Sequence, residues 1–121
     1  MQSEWRTHKG KRFMYANYAG FGEDVDRLAA EVDTVDAIIC QEPEHSVLIL
    51  TDVRATVGSS EAVAVMKKSA ARTKKHMRKG VIVGVGGGLR KLLLEAVSRF
   101  SGQDLVAIDD IEQAKDWLVE E

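Results

Sequence analysis

The stretch Val47-Leu48-Ile49-Leu50 is an unbroken apolar run, and Thr51-Asp52 follows it directly. Four apolar residues in succession between polar neighbours are typical of a strand that is covered on both faces. We therefore predict a central strand here, with helices on both sides of the sheet. The run Val81-Ile82-Val83-Gly84-Val85 has the same character and predicts a second buried strand.

Two short strands and a helix precede the central strand. Glu4 to His8 and Lys11 to Tyr18 are separated by Lys9-Gly10, which predicts a hairpin with a tight turn. From Glu23 to about Cys40, apolar residues recur at three-and-four spacing, which predicts an amphipathic helix.

Helices also separate the later strands. A second helix is predicted from Ser59 or Ser60, with Val63, Met66, Ala70 and Met77 on its inner face and Gly80 as its end. The remaining elements are a third helix from Leu89 to Phe100, a strand from Leu105 to Ile108, and a last helix that begins at Asp109 or Asp110 and includes Trp117 and Leu118. The predicted order is β-β-α-β-α-β-α-β-α, an α/β sandwich with a mixed sheet of four to five strands and about four helices.

Size and composition indicate one folded domain. The chain has 121 residues, 45% of them hydrophobic and 30% charged, with a single proline. We expect a single domain over residues 1–121, and the composition argues against disorder or a collagen-like fibre.

Cysteine content and hydropathy bear on the compartment. Cys40 is the only cysteine, which excludes an intramolecular disulfide, and we expect it to be buried as a small apolar residue. No apolar stretch approaches the roughly 20 residues of a transmembrane helix. Together these features predict a cytoplasmic protein without a transmembrane segment.

Positive charge is concentrated in one segment. The chain has a net charge of −2, but the segment from Lys67 to Lys79 holds seven bases and no acid. The rest of the chain therefore contains ten bases and 19 acids. We place a basic face on the second helix, formed by Lys67, Lys68, Arg72, Lys74 and Lys75. Such a face is either a solvated surface favoured by the helix dipole or a contact for nucleic acid, an anionic membrane or an acidic protein. No specific nucleic-acid motif accompanies it.

Three loops should meet beyond the carboxyl ends of the strands, where α/β sheets bind their ligands. They are residues 17–22, 51–60 and 84–90. The middle loop carries Asp52, Arg54, Ser59 and Ser60, and its serines are either helix caps or phosphorylation sites. The last loop carries Gly86, Gly87, Gly88 and Arg90, which form either a tight turn or a site for an anion or another ligand.

No motif indicates catalysis. A hydrolase would need Asp52, a serine and one of His8, His45 and His76, and no motif places a histidine as the base. The sequence contains neither HxxxH nor CxxC. We therefore predict no catalytic residue, no metal site, no cofactor and no enzymatic activity.

From Gly10 onward the chain resembles the SpoIIAA-like proteins of bacteria, relatives of the STAS domain of sulfate transporters and anti-sigma factor antagonists. The resemblance covers about nine-tenths of the chain. Its segments are Gly10-Lys11-Arg12, Tyr15-Ala16-Asn17-Tyr18-Ala19-Gly20, Ser46 to Val53, Gly84 to Leu89, Phe100-Ser101-Gly102 and Ile111 to Leu118.

This resemblance implies a non-enzymatic regulatory or protein-binding domain. In STAS relatives a partner kinase phosphorylates a serine at the start of the helix after the central strand, a position that Ser59 or Ser60 matches, with Asp52 as the acid at the strand end. The family's Asp-Ser-Ser-Gly pattern is replaced here by Val57-Gly58-Ser59-Ser60. A similarity to the CRAL-TRIO lipid-binding fold implies the alternative function, a carrier of a small apolar or anionic, lipid-like ligand. A protein partner is expected, and a homodimer is compatible with the sequence.

Overall fold

The computed structural model describes residues 1–84 and 105–120. Its elements follow the predicted order over these residues. They are β1 (Glu4–His8), β2 (Lys11–Asn17), α1 (Val25–Ile39), β3 (Val47–Asp52), α2 (Ser60–Thr73), a 3-10 turn (Lys74–His76), β4 (Met77–Val83), β5 (Leu105–Ala107) and α3 (Ile111–Val119).

The sheet is mixed and has five strands in the spatial order β1-β2-β3-β4-β5. Strand β1 runs antiparallel to β2, and the other neighbouring pairs are parallel. Leu50 of β3 lies opposite Tyr15 of β2 and Val81 of β4. All six residues of β3 are buried, which confirms the prediction of a central strand from its apolar run.

The first hairpin has the tight turn that Lys9-Gly10 predicted. Both residues have positive φ, +50° at Lys9 and +80° at Gly10. Two successive positive φ values match the type I′ turn, whose twist suits the strands of a two-residue hairpin.

Helices cover the sheet on both faces, because side chains of successive strand residues point to opposite sides. One face packs against α1 and α2, with Met14 and Ile49 of the strands against Leu28 and Val32 of α1. The other face packs against α3, where Phe13, Leu50 and Val81 meet Ala114 and Leu118. The prediction of helices on both sides of the sheet is therefore confirmed.

The second helix is shorter than predicted. It ends at Thr73, and Met77 and Gly80 belong to β4 rather than to the helix and its end. Sheet pairing decides this, because Met77 and Gly80 pair with Val47 and Ile49 of the central strand. A Cβ at Gly80 would lie 3.0 Å from the Leu105 side chain, so this glycine allows close packing within the sheet.

The basic residues consequently occupy three elements. Lys67, Lys68 and Arg72 lie on α2, and Lys74 and Lys75 lie in the 3-10 turn. The prediction that these five form one face of a continuous helix is wrong, because the helix ends before Lys74. Arg78 and Lys79 lie on β4.

The predicted third helix, the glycines Gly86, Gly87 and Gly88, and Arg90 lie outside the described residues. None of the helices in the described ranges is long and apolar enough to cross a membrane.

Candidate functional site

Two of the three predicted loops meet at the carboxyl edge of the sheet. Backbone N–H groups of Tyr18 and Gly20 donate to the carbonyls of Asp52 and Arg54, both at 2.9 Å. The Thr56 hydroxyl donates to the Tyr18 carbonyl at 2.6 Å and accepts from the backbone N–H of Phe21 at 3.2 Å. The loops after β2 and β3 therefore form one hydrogen-bonded layer over the strand ends.

Asp52 lies at the centre of this edge. Its Oδ2 accepts a 2.6 Å hydrogen bond from the Tyr15 hydroxyl and a 2.7 Å bond from Nη2 of Arg54. Its Oδ1 accepts from the backbone N and the Nε of Arg54, both at 3.0 Å. The Asp52 side chain is 1% exposed, whereas that of Arg54 is 53% exposed. A buried carboxylate thus anchors an arginine whose outer edge faces solvent.

The ionisation of this cluster follows from these contacts. Burial opposes the charged form of Asp52, but the hydrogen bonds from Arg54 and Tyr15 outweigh it and hold the carboxyl pKa below its usual value. Burial and the neighbouring Asp52 carboxylate raise the pKa of Tyr15. The hydrogen bonds to Asp52 raise the pKa of Arg54. The cluster is therefore an ion pair with a neutral phenol near pH 7.

Gly84 brings β4 against this arginine. Its φ is +91°, and a Cβ on it would lie 2.3 Å from Cγ and 2.8 Å from the backbone N of Arg54. A side chain at this position would collide with the Arg54 backbone, so glycine permits the contact. The rest of the predicted glycine loop lies outside the described residues.

The two candidate serines do not join Asp52 and Arg54. The Ser59 hydroxyl accepts a 3.1 Å hydrogen bond from the Ala62 backbone N–H and is the N-cap of α2. Ser60 is exposed, and its hydroxyl donates to the Glu61 carboxylate at 3.3 Å. The cap predicted at Ser59 is confirmed, and Ser60 is the more accessible hydroxyl.

A second buried carboxylate lies between α1 and α2. Asp36 accepts a 2.7 Å hydrogen bond from the Ser69 hydroxyl, and Arg72 donates to it from Nε at 3.0 Å and from Nη2 at 2.6 Å. Arg72 also reaches Asp33 at 3.1 Å. One member of the predicted basic face therefore connects two helices.

Sequence reasoning missed Asp36 and the role of Tyr15. Asp36 falls within the predicted first helix and resembles any polar residue on an amphipathic helix. Tyr15 and Asp52 share a sheet face because Tyr15 pairs with Leu50, two residues before Asp52. The alternation of side-chain direction along β2 and β3 could have indicated that contact, but only once the register between the two strands was known.

Cys40 and two histidines lie away from this edge. The expectation that Cys40 is buried is wrong: it follows the last residue of α1 and is exposed. His8 is 2.7 Å from Asp116, and His76 is 2.7 Å from the Glu42 carbonyl. Within residues 1–84 and 105–120, no group of three or more His, Cys, Asp or Glu side chains could hold a metal ion.

A surface depression of about 500 Å³ lies beside α1, separate from the Asp52 cluster. Its lining includes Phe21, Arg27, Ala30, Glu31 and the N-terminal residues Met1 and Gln2. Glu31 accepts hydrogen bonds from the backbone N of Gln2 at 3.2 Å and of Ser3 at 2.9 Å. The depression therefore combines a partly apolar wall with a cation and an internally bonded carboxylate.

Comparison with known proteins identifies the architecture. Neither a family model nor a curated protein sequence matches the chain. Among solved structures, the chain is similar to an uncharacterized protein of the DUF3478 family from Shewanella loihica, described as having a SpoIIAA-like fold. The two share 18% identity with a TM-score of 0.63, over 96% of this chain and 91% of the other. The chain therefore has a SpoIIAA-like fold.

Proposed function

We propose that this protein is a non-enzymatic regulatory domain of STAS type, which binds a partner protein through the surface at the start of α2. The observation that carries this proposal is the exposed Ser60 at the first position of α2, close in sequence to the exposed apolar side chain of Val57. Val57 is 45% exposed, and the other large apolar side chain exposed in the described ranges is Met1. An exposed apolar side chain beside a modifiable serine suits a contact controlled by phosphorylation.

Ser60 is the better candidate for the modified residue. A phosphate on Ser59 would alter the hydroxyl that caps α2, whereas the Ser60 hydroxyl bonds to the side chain of its neighbour Glu61 and caps no helix. Phosphorylation of Ser60 would add about −1.5 to −2 charges near pH 7. The free N–H groups of the first turn favour that charge, and the adjacent Glu61 opposes it. The net result is a charged group beside Val57, which disfavours an apolar contact.

Capture of a partner from extracts of the source organism tests this function. We expect the immobilised wild-type protein to retain a defined partner, and Ser60→Asp to retain at least about tenfold less, which corresponds to 1.4 kcal/mol. Ser46→Asp is the matched control, because Ser46 is exposed just before β3 and its hydroxyl bonds to the Pro43 carbonyl.

Equal capture by wild type, Ser60→Asp and Ser46→Asp would contradict control through Ser60. Intact-mass measurement of protein purified from its own source supplies a second readout. A phosphate that maps to Ser60 supports the proposal. A phosphate that maps to Ser59 would contradict control through Ser60 and would make the capping residue the modified one.

The alternative function is a carrier of a small anionic amphiphile. The depression beside α1 favours it, because Phe21 and Ala30 offer apolar contact and Arg27 offers a cation. Native mass spectrometry of the protein from its own source tests this alternative. A bound small molecule that Arg27→Glu releases supports the carrier, and repeated absence of any bound molecule contradicts it.

A further inference from the structure

The structure divides the basic segment into bases that stabilise the fold and bases that face outward. Arg72 pairs with Asp36 and Asp33, as described above. Lys79 donates to the carbonyls of Trp117 at 2.6 Å and Glu120 at 3.3 Å, and its Nζ lies 4.0 Å from the centre of the Trp117 ring. These carbonyls lie at the C-terminus of α3, where a cation is favourable. Arg72 and Lys79 are thus committed to internal contacts.

Four other bases form what we call the outer basic surface: Lys67, Lys68, Lys75 and Arg78. Lys68, Lys75 and Arg78 are exposed and Lys67 is half-exposed. None of the four forms an ion pair or a side-chain hydrogen bond with the residues that the structure describes. Their sequence explains this, because the positions three and four residues before and after Lys67 and Lys68 carry no acid.

Helical spacing and chain length bring these bases together. Lys67 and Lys68 lie one turn before Ala71, and Lys75 lies one turn after it, so the three lysines share the solvent side of α2 and its trailing turn. Ala71 is exposed between Lys68 and Lys75, together with Arg72 and Lys74, and Ala64 is exposed before Lys67. Arg78 follows Lys75 by three residues, a separation of no more than about 11 Å along the chain. The result is a group of cations that follow one another closely along the chain, with the small exposed side chain of Ala71 among them.

We propose that the outer basic surface docks an acidic segment of a partner protein. Charge complementarity argues for carboxylates, since four cations lack a described partner in a chain whose net charge is −2. The small side chain of Ala71, between Lys68 and Lys75, lets a polypeptide approach the helix closely. This surface lies at the opposite end of α2 from Ser60, so its role does not depend on the proposed function.

Two other polyanions fit these residues less well. Binding to a membrane surface uses apolar side chains that enter the lipid, whereas the other exposed residues between Lys67 and Arg78 are Ala71, Arg72 and Lys74, none of which is a large apolar residue. Single-stranded nucleic acid binds by stacking on exposed aromatic rings. The tryptophans, tyrosines and phenylalanines of the described ranges are all buried or half-buried. A protein segment needs neither feature.

Binding of a fluorescein-labelled polyglutamate peptide of about 20 residues, followed by fluorescence anisotropy, tests this surface. We expect the wild-type protein to bind it, and the affinity to fall about tenfold between roughly 50 mM and 500 mM NaCl because salt screens exposed charges. Reversing Lys67, Lys68, Lys75 and Arg78 to Glu should weaken binding by about tenfold or more. A Lys68→Glu/Lys75→Glu variant with fewer changes should show a smaller loss in the same direction.

The matched control is Arg6→Glu/Lys9→Glu, which makes the same change in net charge with exposed bases on β1 and the turn that follows it. Its affinity should stay within about twofold of wild type, since β2 and β3 separate β1 from β4, a spacing of about 14 Å that exceeds the Debye length of about 10 Å near 0.1 M salt. Equal losses in the control and the Lys68→Glu/Lys75→Glu variant would overturn the proposal, because binding would then follow net charge alone. Tighter binding of oligouridylate RNA or of phosphatidylglycerol vesicles than of the peptide would also overturn it.

Discussion

Two arginine–carboxylate clusters in this protein have the same chemistry but differ in how far apart their arginine and carboxylate are in the sequence. Asp52 accepts from the Tyr15 hydroxyl and from Arg54, and Asp36 accepts from the Ser69 hydroxyl and from Arg72. Both carboxylates are buried, with side chains 1% and 6% exposed, and both guanidinium groups are about half exposed, at 53% and 46%.

The difference lies in what each cluster connects. Arg54 is two residues from Asp52, so that pair shapes the loop after β3, and Tyr15 reaches it from another strand. Arg72 is 36 residues from Asp36, so that pair connects α2 to α1 across their interface. The same ion pair therefore orders a loop in one place and joins two helices in the other.

The largest effect is expected for Asp52→Ala. The change leaves the buried Tyr15 hydroxyl without its acceptor and Arg54 without its anchor. We expect a loss of about 3 kcal/mol in the free energy of unfolding, measured with urea. This value is at the low end of the range for breaking a buried ion pair, because water can hydrate the Arg54 side chain after the change. Asp33→Ala, which removes an exposed partner of Arg72, is the control and should cost less than about 0.5 kcal/mol. Equal losses would mean that burial of the carboxylate does not decide the effect.

Asp36→Ala should cost less, about 2 kcal/mol, because Ser69 and Arg72 are both accessible to water after the change. A double-mutant cycle with Arg72→Ala should give a coupling of about 1 kcal/mol if the pair connects α1 to α2. Additive effects in this cycle would show that Asp36 acts through its burial and through Ser69 rather than through Arg72.

A pH series separates the charge of Asp52 from its packing. The pKa of Asp52 is lower in the folded protein than in the unfolded chain, so its ionised form contributes stability that is fully present above the unfolded pKa of about 3.9 and is lost as the pH falls through the folded pKa. The stability difference between wild type and Asp52→Asn should therefore be constant near neutral pH and shrink at acid pH. If the stability difference between the two proteins stays unchanged at acid pH, the effect of Asp52 is due to packing alone.

The smallest effect is expected for Tyr15→Phe, which removes one hydrogen bond and keeps the ring. We expect a loss of about 1 kcal/mol in the free energy of unfolding. In an Asp52→Ala background the same change should be nearly neutral or stabilising, because the hydroxyl there has already lost its acceptor. A full 1 kcal/mol loss in that background would show that the hydroxyl stabilises the fold through another contact.

The candidate residues that the structure places at the end of β3 or at the start of α2 are those with local signals. Asp52 ends an apolar strand, Arg54 lies two residues later, and Ser59 precedes an amphipathic helix, so each position is recognisable from its neighbours. Asp36 carried no such signal, because its partners Ser69 and Arg72 belong to another helix. Cys40 was expected to be buried from an apolar pattern that ends one residue before it.

The sequence by itself determined the order of the described elements, the buried central strand and the tight turn of the first hairpin. Each depends on periodicity or backbone preference within a few residues, so no distant contact is needed to recognise it. Tertiary structure alone decided where α2 ends, since Met77 joins the sheet by pairing with Val47. It also decided which bases of Lys67 to Lys79 face outward, because Arg72 and Lys79 find their partners on α1 and α3. Those partners lie at least 36 residues away along the chain, a separation at which local pattern carries no information.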